Sequence, residues 1–421
     1  MQQAGAMTAH PLATGYRWRL ALVLGISLFI GYLDRLNISF AIPLMAQEFG
    51  WSSDEIQDYG GWLMSLFYVG YGIANIFLSP LASRFGPRKS LLCIVALWSL
   101  FTAMGAWASQ WLMVFAASRV LLGLAEGPHF PMMAQLTKNW FPLNERSRAN
   151  SLWISGLFLA MLAAPFIMVP MMETFGWRAG FYILAAAGLL ITWPLIWIWV
   201  KDKPQQVANL HPDELAHIEA GATETTSDTP SLRWHQLLRN KSYLAILFAG
   251  MMNNVVALGI ASWLPTFFTE KKGIPYEELT WLVPLPFVFS LIGLVFWSQI
   301  GDRLNRRAIV AATGFIGASV AIFIALEAQS LWLTVVGFSA ATFCISAFPT
   351  AEFALVQKIL PGDSIASGVG LYNGLSTMIG GGLGPVLVAP IIGDGSGTWI
   401  VSVVAIANGL LLLTLYRRLR Y

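Results

Sequence analysis

Apolar stretches of roughly twenty residues recur about a dozen times along this chain, and at about 1.5 Å of rise per residue each can cross a hydrocarbon layer near 30 Å thick as a helix. The first six fall near residues 18–42, 58–82, 88–109, 111–137, 149–172 and 177–200. The last six fall near 242–268, 279–300, 308–327, 331–358, 365–392 and 397–416. Composition agrees: 421 residues that are 56% hydrophobic and 11% charged, with a mean hydropathy of +0.63, carry more apolar surface than a water-soluble core can hide. The 18 Trp and 26 Phe suit lipid-facing and interfacial positions. The expected fold is an all-α integral membrane protein, twelve transmembrane helices in two six-helix bundles, with the lipid bilayer as its solvent.

Residues 201–241 are the long polar stretch between the two sets of six, and contain His211-Pro-Asp-Glu, Pro230 and a Thr/Ser/Glu-rich run. They read as a linker between an N-terminal bundle over 1–200 and a C-terminal bundle over 242–421. Of the 25 Lys and Arg, twenty lie in the termini, the linker and the loops on one side, against Arg178, Lys271 and Lys272 on the other. Cytoplasmic loops retain Lys and Arg, so both termini and the linker are expected in the cytoplasm. Met1 to Tyr16 then forms a short tail, without the order of charged, apolar and small residues that marks a cleaved signal. Short external loops without glycosylation sequons fit a bacterial inner membrane, and a monomer is expected.

An internal repeat supports two bundles. Shifting the chain by 219 positions lays Ser79-Pro-Leu-Ala-Ser-Arg-Phe-Gly on Ser298-Gln-Ile-Gly-Asp-Arg-Leu-Asn, Pro142 on Pro361 and Gly31 on Gly250.

The net charge of +3 implies no nucleic-acid partner, since in a membrane protein the placement of charge matters more than its sum. Cys93 and Cys344 sit in apolar runs without a spaced His or Cys set, so neither a disulfide, a metal site nor a cofactor is expected. The Gly-rich stretch Gly380-Gly-Gly-Leu-Gly-Pro385 follows no strand and carries no Lys, which excludes a phosphate loop and leaves close helix packing.

Chemistry is expected where charge enters the hydrocarbon, because an ionisable side chain there costs several kcal/mol unless it is paired or solvated. The first span carries Asp34 and Arg35 in Gly31-Tyr-Leu-Asp-Arg-Leu-Asn37, and the fourth carries Arg119 and Glu126, seven apart and so on one helical face. Opposite directions of these two spans put Asp34, Arg35 and Arg119 at similar depth. They can hold an anion beside carboxylates that take up protons; the structural alternative is a salt bridge locking two helices. The shifted register sets Asn253-Asn254 opposite Asp34-Arg35, which leaves the second half polar but uncharged at that level.

Glu352 in the tenth span reads equally as a second proton site, a substrate contact or a snorkelling residue at an internal gate. His129, one turn from Glu126, reads as a relay or substrate donor, or as a structural partner of that acid. Asn373 can reach a central cavity or bond another helix.

With these residues assembled, the chain resembles the major facilitator superfamily and, within it, the anion:cation symporter family. The loops after the second and eighth spans are similar to the signature G-x-x-x-D-R-x-G-R-R. The second copy keeps Gly301-Asp302-Arg303 and Arg306-Arg307, whereas the first, around Arg84, has Ser79 for Gly and Ser83 for Asp. Tyr32-Leu-Asp-Arg-Leu-Asn37, Arg119 through Glu126-Gly-Pro-His-Phe-Pro131 and Trp140-Phe-Pro-Leu-Asn-Glu-Arg146 carry the closer resemblance.

That resemblance implies proton-coupled uptake of a small organic anion by alternating access, with Asp34 and Glu126 as proton carriers. It implies that Arg35 binds the substrate carboxylate, that Arg119 couples to Asp34, and that Tyr32, Tyr71 and Asn373 line the site. Leu157 stands where sugar-acid members place a Gln, and Glu352 is foreign to the pattern, so carboxylates other than sugar acids, and sulfonates, stay open. The rival is a proton-coupled exporter, against which the fifth span lacks a G-x-x-x-G-P pattern. No nucleophile, metal set or cofactor loop supports an enzyme.

Overall fold

A computed structural model of the chain describes residues 15–220, 234–304, 306–359, 365–393 and 397–419. Among the described residues ten helices are long and apolar enough to cross a membrane, and the bent pair Ser53–Phe77 and Ser79–Phe85 makes an eleventh span. The twelfth is the fourth in chain order. It consists of two consecutive helices, Leu112–Glu126 and His129–Trp140, interrupted where Gly127-Pro128 falls. Pro128 has no N–H to return to the preceding turn, and its ring displaces the carbonyl that would receive one. The carbonyl of Gly127, whose helical donor four residues on is Pro131 and has no N–H, accepts from the Asn75 side-chain amide, 3.2 Å away on the second span.

In chain order the remaining spans are the first (Tyr16–Phe49), third (Pro87–Trp107), fifth (Arg148–Phe175), sixth (Trp177–Trp199), seventh (Lys241–Lys271), eighth (Tyr276–Gly301), ninth (Arg307–Glu327), tenth (Leu331–Glu352), eleventh (Gly368–Ile391) and twelfth (Trp399–Tyr416). Large apolar side chains such as Phe77, Met113, Leu190 and Val295 stand exposed on their outer faces, as lipid-facing positions do.

The packing is a two-fold repeat. First packs on fifth, second on fourth and third on sixth; seventh packs on eleventh, eighth on tenth and ninth on twelfth. Across the halves, first meets seventh, second meets eleventh and fifth meets eighth. An exchange of halves maps the first of these crossings onto itself and interchanges the other two, which is the symmetry that the 219-residue shift implies.

Small residues make the closest approaches, because lipid tails give apolar helices no reason to associate and van der Waals contact must supply it. A Cβ on Gly123 would overlap the Phe67 carbonyl of the second span, and one on Gly156 the Gly25 carbonyl of the first. Gly86, at φ +92°, turns the chain sharply between the second and third spans, a backbone conformation that L side chains rarely adopt.

At the end opposite the termini the two halves are joined. The Tyr276 hydroxyl donates to the Phe40 carbonyl at 2.8 Å, Phe166 meets Trp281 edge to face at 5.5 Å, and the Trp263 ring packs on Gly60. At the other end, the linker helix Pro212–Ala220 docks on the first half through the buried Glu214, which accepts from the Arg17 side chain and backbone, each at 3.1 Å.

Candidate functional site

Between the halves lies a cavity of about 690 Å³. Its walls run from Ser39 and Met64, near the sealed end, to Ala134, Pro349 and Gly370 on the way to the terminus-bearing end. Adjacent residues on a helix point about 100° apart, and Asp34 and Arg35 are divided by that rotation. Arg35 enters the cavity, whereas Asp34, fully buried, faces the third span.

Arg35 stands among three aromatic rings, its guanidinium carbon 4.4 Å from the centroid of Tyr32, 4.6 Å from Tyr71 and 4.9 Å from Phe67. These π faces stabilise the cation where water is scarce. Its Nη2 donates to Glu126 Oε2 at 3.0 Å, and the other carboxylate oxygen, Oε1, is buried without a partner.

Arg119, 2% exposed, shares the Phe67 ring at 5.5 Å and donates through Nε to the Leu63 carbonyl at 3.3 Å. Among the described residues it has no carboxylate within ion-pairing distance. Two guanidinium groups therefore flank one ring, with a carboxylate on only one of them.

The expected coupling of Arg119 to Asp34 is not a direct ion pair. Asp34 Oδ1 accepts from Asn37 at 3.1 Å and Oδ2 from the Thr102 hydroxyl at 2.5 Å, which holds the acid between the first and third spans. Tyr32, Tyr71, Asn373 and Glu352 all line the cavity. His129 does not: its Nε2 lies 3.0 Å from the Ser27 hydroxyl and its ring packs edge-on to Trp98, so restarting the helix after Pro128 turns it away from Glu126 and the cavity. Leu157 is also a lining residue, as are Asn253 and Asn254, the counterparts of Asp34 and Arg35 under the repeat.

Arg84 and Arg303, in the signature loops, are exposed, and the side chain of Asp302 lies outside the described residues. The first loop, which lacks the signature acid at Ser83, is served by Asp202 from beyond the sixth span. Its Oδ1 accepts from the Arg88 backbone N–H at 2.6 Å, at the N-terminus of the third span, where a helix dipole favours negative charge. Phe67, Asn75 and Thr102 are site residues that sequence reasoning missed. Thr102 and Asn75 carried a signal, being polar side chains in apolar spans; Phe67 carried none.

Two repeated bundles of membrane helices around a central cavity with buried charges define a membrane transport protein. The family model described as Major Facilitator Superfamily matches residues 24–385 and 266–421. A probable anion transporter 2, chloroplastic, of Oryza sativa subsp. japonica is 31% identical over 85% of this chain and 68% of its own. A probable L-galactonate transporter of Escherichia coli (strain K12) is 26% identical over 88% of this chain and 82% of its own. The solved structure of a bacterial homolog to the human lysosomal transporter Spinster, inward-facing and unoccupied, superposes with a TM-score of 0.73 at 16% identity, covering 95% of each chain. The chain belongs to the major facilitator superfamily, and its relatives are consistent with the anion:cation symporter family.

Proposed function

We propose that this transporter takes up a small organic anion, a carboxylate or a sulfonate, together with protons. The observation that carries the reading is the pair of guanidinium groups around Phe67, of which, among the described residues, only Arg35 has a carboxylate within 4 Å. A buried charge without its partner costs about 3–5 kcal/mol, and an anionic substrate bound beside Arg119 would supply that partner. Glu126 holds the other guanidinium, so substrate and Glu126 compete for Arg35. Protonation of Glu126 releases Arg35 to the substrate, which links anion binding to proton uptake. Asp34, held by Thr102 and Asn37 behind the cavity wall, is the second carboxylate available to the proton path.

The transport names of the relatives agree with an anionic cargo. Leu157 on the cavity wall favours acids with fewer hydroxyl groups than a sugar acid. With the Lys- and Arg-rich end in the cytoplasm, both termini and the linker face inward. The bundles over 1–200 and 242–421 then reorient about the central cavity. A bacterial inner membrane and a monomer complete the reading.

The experiment is uptake of radiolabelled carboxylates and sulfonates into proteoliposomes, with and without an inward proton gradient. Gradient-driven accumulation of at least one acid is expected. Absence of accumulation, with efflux under the reversed gradient, would reassign the protein as an exporter.

A further inference from the structure

Three of the described residues that line the cavity carry formal charge, and they are divided between its walls. Arg35 and Arg119 belong to the first half, and Glu352 to the second. Among the described residues Glu352 has no cation within ion-pairing distance. Its polar neighbour is the neutral Tyr372 hydroxyl, on a fully buried ring for which Gly250 leaves room: a Cβ there would collide with that hydroxyl.

The same wall holds a second acceptor. Asn253 donates its amide to Asn254 at 3.4 Å and, with the amide as oriented, keeps Oδ1 buried without a partner. Among the described residues the formal charges on one wall are therefore cationic donors, and the one on the other wall is an acceptor.

A plain acid answers half of this arrangement. Bound at Arg35 and Arg119, it would leave Glu352 without a counter-charge when the cavity closes, and a diacid would set a second negative charge against it. Resting on the transport reading, we infer that the cargo is a zwitterion: a small acid whose carboxylate or sulfonate lies against Arg35 and Arg119 and whose ammonium group lies against Glu352. Tyr32, Phe67, Tyr68 and Phe130 line the cavity, so an apolar or aromatic body between the two heads is accommodated.

The test uses matched pairs that differ only in the ammonium group: taurine with isethionate, 3-aminopropanoate with 3-hydroxypropanoate, and 4-(aminomethyl)benzoate with 4-methylbenzoate. Binding to the purified full-length protein is read by thermal stabilisation, and transport by uptake into proteoliposomes, for the wild type and Glu352→Gln. In the wild type, the ammonium-bearing member of at least one pair should bind at least tenfold more tightly than its partner. Glu352→Gln should reduce that ratio at least tenfold while binding of the plain acid is retained or improved.

Equal affinities within every pair, or a ratio unchanged by Glu352→Gln, would overturn the inference; the wild-type comparison alone decides it if the variant does not fold. Proton-driven accumulation of plain acids only would overturn the zwitterion and leave the transport reading standing. Accumulation of no acid under either gradient would overturn both.

Discussion

Glu126→Gln is the sharpest perturbation of the site, since it keeps the shape of the side chain and removes the carboxylate that holds Arg35. At the observed 3.0 Å separation, the gross Coulomb attraction is about 5.5 kcal/mol for an effective dielectric of about 20. Desolvation of both groups reduces the net value, and breaking such a pair typically costs about 3–5 kcal/mol. Taking about 3 kcal/mol as the part that an incoming anion must overcome, a deprotonated Glu126 weakens anion binding about a hundredfold, at about 1.4 kcal/mol per factor of ten.

The wild-type dissociation constant should therefore rise tenfold per pH unit once Glu126 deprotonates, and level off after about two decades. In Glu126→Gln it should be flat and low. Calorimetric titration of the accumulated acid between about pH 5.5 and 8.5 is the assay, a range well above the ordinary carboxylate pKa of about 4.3, so the ligand's own acid charge stays constant. Proteoliposomes bearing the variant should exchange internal for external substrate yet fail to accumulate it against a gradient. Parallel pH curves for the two proteins, or proton-driven accumulation by Glu126→Gln, would refute the competition argument.

Two further perturbations test how the ends of the molecule are held. Tyr276→Phe removes the hydrogen bond to the Phe40 carbonyl, worth about 0.5–1.5 kcal/mol, and should raise the population open at the end opposite the termini about two- to tenfold. A cysteine placed at Ser39 in a background lacking Cys93 and Cys344 should then react faster with an impermeant reagent applied from that side; an unchanged rate would remove Tyr276 from the seal. At the terminus-bearing end, burial pushes the Glu145 carboxyl up, but the hydrogen bonds and charge of Arg17, with His217, outweigh it and hold the carboxyl below its ordinary range. A depressed acid contributes stability that is present above its unfolded pKa and is lost as pH falls through the folded value. The melting temperature should therefore decline below about pH 4.3, and Glu145→Gln should start lower at neutral pH with a shallower acid slope; equal slopes would refute the assignment.

Much of the architecture was legible because lipid imposes a length and a hydropathy on each span, and those survive without any knowledge of packing. The repeat was legible in Gly31 and Gly250, and at Gly250 the lack of a side chain is what lets Tyr372 approach. Partners within the site were not. The seven-residue spacing of Arg119 and Glu126 placed both on one face, but neighbours 100° apart, such as Asp34 and Arg35, cannot both turn toward that face, and rotation of the first span decides which one does. It turned Arg35 inward, so the pair that forms is Arg35 with Glu126, and Asp34 falls to Thr102, 68 residues away in the chain. His129 was misleading for a local reason: helical spacing across Gly127-Pro128 assumes a continuous helix, and the proline breaks it. Asp202 on the Arg88 amide and Glu214 on Arg17 join residues 114 and 197 apart through loops, where no periodicity points to a partner.

The contact of Arg35 with Glu126 inside the first half bears on how the proposed proton coupling would be enforced. Closing the cavity removes water from whatever it holds, so a state would reorient more readily the better the charge at Arg35 is compensated. With Glu126 ionised and no cargo, Arg35 is paired. With Glu126 protonated and an acid bound, the substrate replaces the carboxylate and Arg35 is paired again. The two intermediate states serve Arg35 less well: a proton alone leaves it without a counter-charge, and an anion alone must share it with Glu126, with Arg119 to take up the second negative charge. Slippage of either ion is thus opposed by the same few kcal/mol that sets the pH dependence of binding. The proposed symport would need its titrating carboxylate in direct contact with the cation proposed to bind substrate, and Arg35 and Glu126, 3.0 Å apart, meet that requirement.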